Sequence, residues 1–381
     1  MEQFFTQAYK GHDDERILIE GKIYIFGAHS RAQTLAGYLQ YLYPDISVEE
    51  YLYDDEEENP SQIGDIKVVR LDTKREFHTD YPVYIGTKGI YHQRISNHLR
   101  QWGFTRIYPV TVEMDLRLRN EYVKKYFSSI GRELVKIDML GTAGINDIKQ
   151  DRTTAIYVAV CAYDEPLRQR YMLAPYEKKI QVGAALKRQH PYLKGIITDD
   201  TGINISDKNR QFCELTALYW IWKNAKEEII GLVHYRRHFI LPEDWPARML
   251  KNKVDVILSI PLYVAPNLAE NYKGRHDPQD WEYMMDYLKK RSIKEYQKAE
   301  LFFKKNLYSP CNMFIMRREV LDALCDWLFP ILFAAAEHGG EKEDCYANRY
   351  PGFLSERLIT FFFEMHRDRY KVVYADKNFL S

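Results

Sequence analysis

The sequence predicts an α/β protein in two domains, and three observations carry that prediction. Short apolar runs alternate with amphipathic, helix-period segments, the pattern of successive βα units. A charged, turn-punctuated stretch over residues 113–154 interrupts the alternation, separating a first domain (1–112) from a second (155–381). At 381 residues the chain exceeds one typical domain, and 46% hydrophobic with 14% aromatic residues can fill two cores.

In the first domain, Lys22 to Phe26 reads as an apolar strand, followed by Gly27-Ala28-His29-Ser30 and a helical pattern through Leu42. Val48 to Tyr53 forms a second strand, closing at Asp54-Asp55 before an acidic loop. Val68-Val69 and Val83 to Ile85 add strands, Tyr91 to Trp102 an amphipathic helix that Gly103 stops, and Phe104 to Pro109 a last strand. This is a small Rossmann-like arrangement, although GAHSRA stands where a GxGxxG fingerprint would. The order IFGAHSRA…YDDEEENPSQI…VYIGT…HLRQWGF is similar to small sugar-nucleotide-binding domains attached to sugar-modifying enzymes. That resemblance implies a nucleotide pocket lined by Gly27, Ser30 and Asp54; the alternative is a scaffold domain without a ligand. Leu116 to Phe127 reads as a linking helix, and Gly141, Gly144 and Asn146 mark a break in the linker after it.

The second domain opens with Ala155 to Tyr163, a near-continuous apolar run suited to a buried central strand. The stretch from Asp199 to Phe239 organises the remainder of this domain. Asp199-Asp200-Thr201-Gly202 suits a tight turn, and Ser206 or Asp207 suits a helix cap. Phe212, Leu215, Leu218, Tyr219 and Trp222 recur at helical spacing. The strand Ile229 to Val233 then ends in His234-Tyr235-Arg236-Arg237-His238. Ligands of open α/β sheets bind beyond the carboxyl ends of strands. Two arginines there suit a phosphate or diphosphate, which guanidinium groups bind bidentately.

Further strands are expected at Val254 to Ser259, Cys311 to Met316 and Val372 to Tyr374, with Asn312 facing a ligand. The helices Trp281–Tyr287 and Ile293–Phe303 read as packing, and Trp327 to Ala336 as core or a lipid contact. Tyr350 to Leu358 places Glu356 at a turn-to-helix junction.

Lys+Arg and Asp+Glu balance at 54 each, so nothing implies nucleic acid as a partner. Five scattered cysteines without a CxxC pair read as reduced thiols of a cytoplasmic protein. The N-terminal MEQFFTQAYKGHDDER lacks a signal-peptide core, and no apolar run is long enough to span a membrane, so a soluble or peripheral protein is expected.

DDTGINIS, KN, CELTALYW, WKN, GLVHYRRHF, CNMFIM and GFLSERL, in that order between Ile156 and Asp376, resemble the DUF4422 family. That family contains bacterial glycosyltransferases of capsular and exopolysaccharide clusters, some assigned as galactofuranosyltransferases. The resemblance implies a GT-A-like glycosyltransferase domain moving a hexose, galactofuranose among the candidates, from a UDP-sugar to a lipid-linked oligosaccharide. It places the protein in the cytoplasm or at the inner face of the cell membrane.

Many such enzymes carry a metal on an Asp-x-Asp motif at a strand end. Here the strand ends in HYRR, so Arg236 and Arg237 are expected to neutralise the departing diphosphate with no cofactor. The competing option is a divalent metal on Asp199 and Asp200. Glu356 is the first candidate for the base, with Asp200 and His234 in reserve. Ala162, Tyr163, Gly183, Asp199, Asn204, Ser206, Asn209 and Asn312 complete the expected donor contacts. Glu214 is either a sugar ligand or a helix-to-loop bond, and Trp220 and Trp222 read as core.

Two other functions fit the same residues. A non-catalytic sugar-nucleotide-binding regulator or scaffold of polysaccharide assembly would bind without turnover. A cofactor-dependent sugar-nucleotide-modifying enzyme is disfavoured by the missing GxGxxG.

Overall fold

The chain divides into two units, Met1–Tyr122 and Val123–Ser381. The computed structural model describes residues 21–54, 58–72, 75–142, 153–168, 171–186 and 192–380. The expected turn residues Asp55, Gly144 and Asn146 lie outside them.

The first unit contains β1 (Gly21–Phe26), α1 (Ser30–Leu42), β2 (Ile46–Tyr53), β3 (Gln62–Ile63), β4 (Ile66–Arg70), β5 (Val83–Ile85), α2 (His92–Gln101) and β6 (Ile107–Pro109). Its sheet runs β3-β4-β2-β1-β5-β6, parallel except for the β3–β4 pair. β1 is central, and its last four residues are buried, as expected of a strand covered on both faces. α1 buries Ala32, Leu35, Ala36 and Leu39. A Cβ at Gly86 would lie 2.9 Å from the Ala32 Cα, so only glycine lets the first turn of α1 settle against the chain after β5.

A helix α3 (Val112–Ser129) leads into the second unit. Part of the expected linker belongs to that unit's core. Ile137 is buried there, Lys136 bridges to Tyr374 and pairs with Asp376, and Arg132 pairs with Glu364. The stretch is expected as a linker, but Arg132 and Lys136 are held by Glu364 and Asp376 of the second unit.

The second unit continues with β7 (Thr154–Val160), β8 (Glu177–Gln181), β9 (Ile197–Thr198), α4 (Asn209–Phe212), α5 (Leu215–Asn224), β10 (Ile229–His234), α6 (Trp245–Lys251) and β11 (Val256–Ser259). Then come β12 (Leu262–Tyr263), α7 (Leu268–Lys273), α8 (Pro278–Arg291), α9 (Ile293–Phe303), β13 (Leu307–Tyr308), β14 (Phe314–Arg317), α10 (Arg318–Gly339), α11 (Tyr350–Met365) and β15 (Val372–Ala375). The main sheet runs β15-β11-β14-β10-β7-β8-β9. Only β14 opposes its neighbours in direction. β7 sends Ala155, Tyr157 and Ala159 into one core and Ile156, Val158 and Val160 into another. Burial on both faces explains its near-continuous apolar sequence.

Three expected elements are altered near the end of β10. The single helix expected from Phe212 is split, because Cys213 has φ +48° between α4 and α5. The expected strand from Cys311 starts only at Phe314, since Cys311 and Asn312 have φ +80° and +48°. Glu356 lies inside α11 rather than at its junction. Non-glycine residues with positive φ are uncommon, and two in succession mark a turn over-determined by its surroundings.

Candidate active site

β10 delivers its last residue into a tight turn. His234 and Arg237 exchange backbone hydrogen bonds of 3.1 and 3.0 Å around Tyr235-Arg236. The turn splits the basic cluster between two cavities. His234 and Arg237 line one of about 250 Å³, together with Cys213, Glu214, Arg349 and Glu356. Tyr235 and His238 line another of about 440 Å³, with Ala162, Asp164 and Tyr171. Arg236 instead pairs with Glu165 at 2.9 Å. The expectation that Arg236 and Arg237 act side by side is therefore corrected: a two-residue turn points adjacent side chains different ways.

The smaller cavity is organised by the Cys311–Asn312 turn. The Cys311 N–H donates to Glu356 Oε1 at 2.7 Å. The Cys311 carbonyl can only accept, so His234 Nε2, 2.5 Å away, is its donor. One residue's backbone thus fixes both side chains. Asn312 is 2% exposed, and its side chain meets protein groups, not a ligand as expected. Its Nδ2 donates to Glu214 Oε1 at 2.8 Å and to the Gly352 carbonyl at 3.1 Å, and its Oδ1 accepts from Ser355 Oγ at 2.7 Å. Asn312 positions Glu214.

Burial pushes the Glu356 carboxyl above its ordinary value, and the Glu214 charge adds to this. Arg357, the Cys311 N–H and Arg237 oppose the shift. Burial also drives His234 below its ordinary value, with Glu214 opposing and Arg237 and Arg349 assisting, so the imidazole is neutral near pH 7. Cys213 supplies no thiolate: burial and Glu214 push its thiol up to about 12, while Arg349 Nε donates to its sulfur at 3.1 Å. Neither Arg237 nor Arg349 has a carboxylate ion-pair partner among the described residues. Tyr346 and Phe353 complete the wall, with ring centroids 5.1 Å apart.

The DDTGINIS loop braces the fold. Asp199 is fully buried and accepts from Gly183 N at 2.9 Å, Ala184 N at 3.0 Å and the hydroxyls of Ser206 and Thr216. Ser206 also accepts from Ala185 N, and Asn209 donates to the Cys213 carbonyl and to Thr216. Gly183 has φ +68°, and a Cβ there would lie 2.5 Å from Asn209 Oδ1. Asn204 closes a local turn by accepting from Ser206 N. Gly183, Asp199, Ser206 and Asn209 therefore form a buried brace in which their polar groups meet one another, and Asn204 stands half-buried beside it. Asp200 accepts from the Tyr192 hydroxyl and lines neither cavity, whereas the other two base candidates, Glu356 and His234, line the smaller one.

Asp199 does not fit a metal, because four donors occupy its oxygens. Among the described residues no three His, Cys, Asp or Glu side chains are grouped to hold a metal ion. Ala162 lines the larger cavity, and Tyr163 beside it is 64% exposed. Asp164 there is pushed up to about 6 by burial, against the Cys161 N–H and Arg236.

Arg349 and Tyr346 lie in no motif of the sequence, and Cys213 and Phe353 lie within CELTALYW and GFLSERL with no site role assigned to them there. Glu214, expected either as a sugar ligand or as a helix-to-loop bond, lines the smaller cavity and accepts from the Asn312 side chain.

In the first unit, a crevice of about 500 Å³ opens beyond β1, β2 and β5. The expected residues Gly27, Ser30 and Asp54 all line it, with Arg31, Lys88 and Arg94. Asp54 is held by Arg94 at 3.1 Å and His98 Nδ1 at 2.7 Å. The first turn of α1, at the crevice, carries no acid and no side-chain cap.

The sequence family described as a domain of unknown function, DUF4422, matches residues 160–367. Among solved structures, the apo structure of the WbbM bifunctional glycosyltransferase is similar at a TM-score of 0.52 and 24% identity. The likeness covers 60% of this chain and 45% of that one, and shows a shared α/β fold. The chain thus spans less than half of that structure. No curated protein matches.

Proposed function

The chain belongs to the DUF4422 family, and from that footing we propose that it is a glycosyltransferase acting at the cavity between β10, the Cys311–Asn312 turn and α11. The observation that carries this reading is the pairing, in one cavity, of two guanidinium groups without carboxylate partners and a carboxyl of raised pKa. A sugar nucleotide presents a diphosphate leaving group, and the acceptor presents a hydroxyl that must lose a proton. Arg237 and Arg349 meet the first requirement and Glu356 the second.

In this reading the donor is a UDP-hexose, galactofuranose among the candidates, and the acceptor a lipid-linked oligosaccharide of surface-polysaccharide synthesis. The nucleoside lies in the larger cavity near Ala162 and Tyr235. Glu356 takes the acceptor proton as the hydroxyl oxygen bonds to the anomeric carbon. The bond from that carbon to the phosphate oxygen breaks, and its electron pair leaves on the diphosphate beside Arg237 and Arg349. A single displacement of this kind inverts the anomeric centre. The raised pKa brings Glu356 closer to the working pH of a base, and the Cys311 N–H keeps one carboxylate oxygen in place.

Titration of the full chain with UDP and UDP-sugars, with and without EDTA, tests the reading. Binding is expected to survive EDTA and to fail in Arg237→Ala/Arg349→Ala. Binding abolished by EDTA, or retained in the double variant, would overturn it. A non-catalytic binder would also bind UDP, but its function would survive Glu356→Gln.

The first unit's crevice favours a second nucleotide-type ligand. Arg31, Lys88 and Arg94 outnumber Asp54, and a helix N-terminus faces the strand ends. A second UDP-sugar equivalent lost in Lys88→Ala and kept in Arg237→Ala/Arg349→Ala would support it. One equivalent, lost only in the latter variant, would make the unit a scaffold.

A further inference from the structure

The outward side of α9 carries chemistry that neither cavity uses. α9 buries Ala299, Phe302 and Phe303 in the second unit's core, the stripe expected of a surface helix. Its opposite side is not simply polar. Ile293 is 56% and Leu301 68% exposed, and eight residues of helix put them about 12 Å apart along the axis. Lys294, Lys298 and Lys304 are exposed beside them, and Lys289, Lys290 and Arg291 are exposed at the end of α8. At 100° per residue, Lys294 and Lys298 stand within about 60° of Leu301 around the axis.

The acids of this stretch are few, and two are engaged. Glu295 is bound by Arg291 and by the Trp327 indole N–H. Glu300 accepts from the Tyr296 hydroxyl at 2.7 Å, and Asp286 is exposed on α8. From residue 286 to 305 there are seven basic and three acidic side chains, and with Lys305 paired to Glu364 an excess of three positive charges remains in a chain that is neutral overall.

We propose that the outer face of α9 docks on an anionic lipid bilayer, with Ile293 and Leu301 entering the interfacial region and the lysines reaching lipid phosphates. The composition selects lipid over a protein partner. A protein interface needs a contiguous apolar centre and is depleted in lysine. This face has two apolar side chains set apart and lysine as its dominant residue. Long lysine stems lie along an apolar boundary while their ammonium groups stay in the polar layer. Each lysine near an anionic surface adds a similar increment of binding, and the sum is sensitive to salt. The inference stands apart from the transferase reading, since it uses none of the cavity residues.

Flotation of the full chain with phosphatidylcholine vesicles, with and without phosphatidylglycerol, tests it. The wild type is expected to float with the anionic vesicles and not with the neutral ones. Lys294→Ala/Lys298→Ala is expected to lower the partition roughly thirtyfold. Ile293→Ser/Leu301→Ser is expected to bind at low salt and release at salt the wild type tolerates. All four side chains are exposed, so thermal midpoints and UDP binding should match the wild type, which separates this test from that of the cavity. A wild type that stays unbound to anionic vesicles, as it would if this face served an acidic protein, overturns the proposal. So does a lysine variant that floats as the wild type does.

Discussion

Replacing Asp199 by alanine is expected to weaken the second unit severely, although Asp199 lines neither cavity. Its carboxylate accepts from two backbone N–H groups and two hydroxyls, at Gly183, Ala184, Ser206 and Thr216. Asp199, Ser206 and Thr216 are fully buried. A buried donor left without a partner costs about 1–3 kcal/mol; the Thr216 hydroxyl can turn to the Cys213 carbonyl at 3.0 Å, so the low end of the three remaining losses is about 3 kcal/mol. That is a large part of a typical stability of about 5–15 kcal/mol. In a unit of this size it corresponds to a fall of roughly 10 °C in melting temperature. Tryptophan fluorescence is a suitable readout, because five of the six tryptophans lie in the second unit. Asp200→Ala, which removes a bond to Tyr192, is the comparator and should cost no more than about 1 kcal/mol. EDTA should leave the wild-type transition where it is. An Asp199→Ala transition at the wild-type midpoint would refute the bracing argument, and EDTA reproducing the loss would replace it with a metal site.

Glu356→Gln should keep UDP binding and lower turnover about 100-fold or more, measured as UDP release with a competent acceptor. Because the base must be ionised and burial raises its pKa, kcat/KM should fall with falling pH from above the ordinary value of 4.5, and Glu214→Gln should move that limb to lower pH by removing a neighbouring charge. Arg237→Ala and Arg349→Ala should each weaken UDP binding about 10- to 100-fold, whereas Arg236→Ala, whose guanidinium already pairs with Glu165, should change it less than about fivefold. At Glu177, burial is outweighed by bonds from His238, Ala174 N and Tyr171, and at Glu364 by Arg132 and Lys305, so both carboxyls lie below their ordinary value of 4.5. Their stabilisation is complete above that value and is lost as pH falls through the lowered ones, so urea midpoints of the second unit should decline below about pH 4.5.

The alternation of apolar strands and amphipathic helices was legible in the sequence, because it is a local consequence of burying one stripe or two faces. β7 is the clearest case: burial on both sides leaves an almost unbroken apolar run. The end of β10 was also legible as a place where cations collect, and Glu356 as a carboxylate near it. The sequence could not say which neighbours share a space. Arg236 and Arg237 are adjacent in the chain, yet one sits within the two-residue turn and pairs with Glu165 while the other closes the turn and lines the smaller cavity, where His234, Glu214 and the α11 region's Arg349 and Glu356 also meet. DDTGINIS looked like a ligand loop because two carboxylates, an asparagine and a serine suit sugars and metals. The same groups satisfy buried backbone, and only packing decides which role they take. Asn312 makes the point for one side chain: its amide suits a sugar, but two positive φ angles turn it inward to hold Glu214. Periodicity reports how a segment meets the core, so the chain alone determined the long apolar strands, the amphipathic helices and the basic tip of β10, but not the break at Cys213 or the late start of β14. Which polar groups meet one another depends on turns and long-range contacts, and that only the tertiary structure decided.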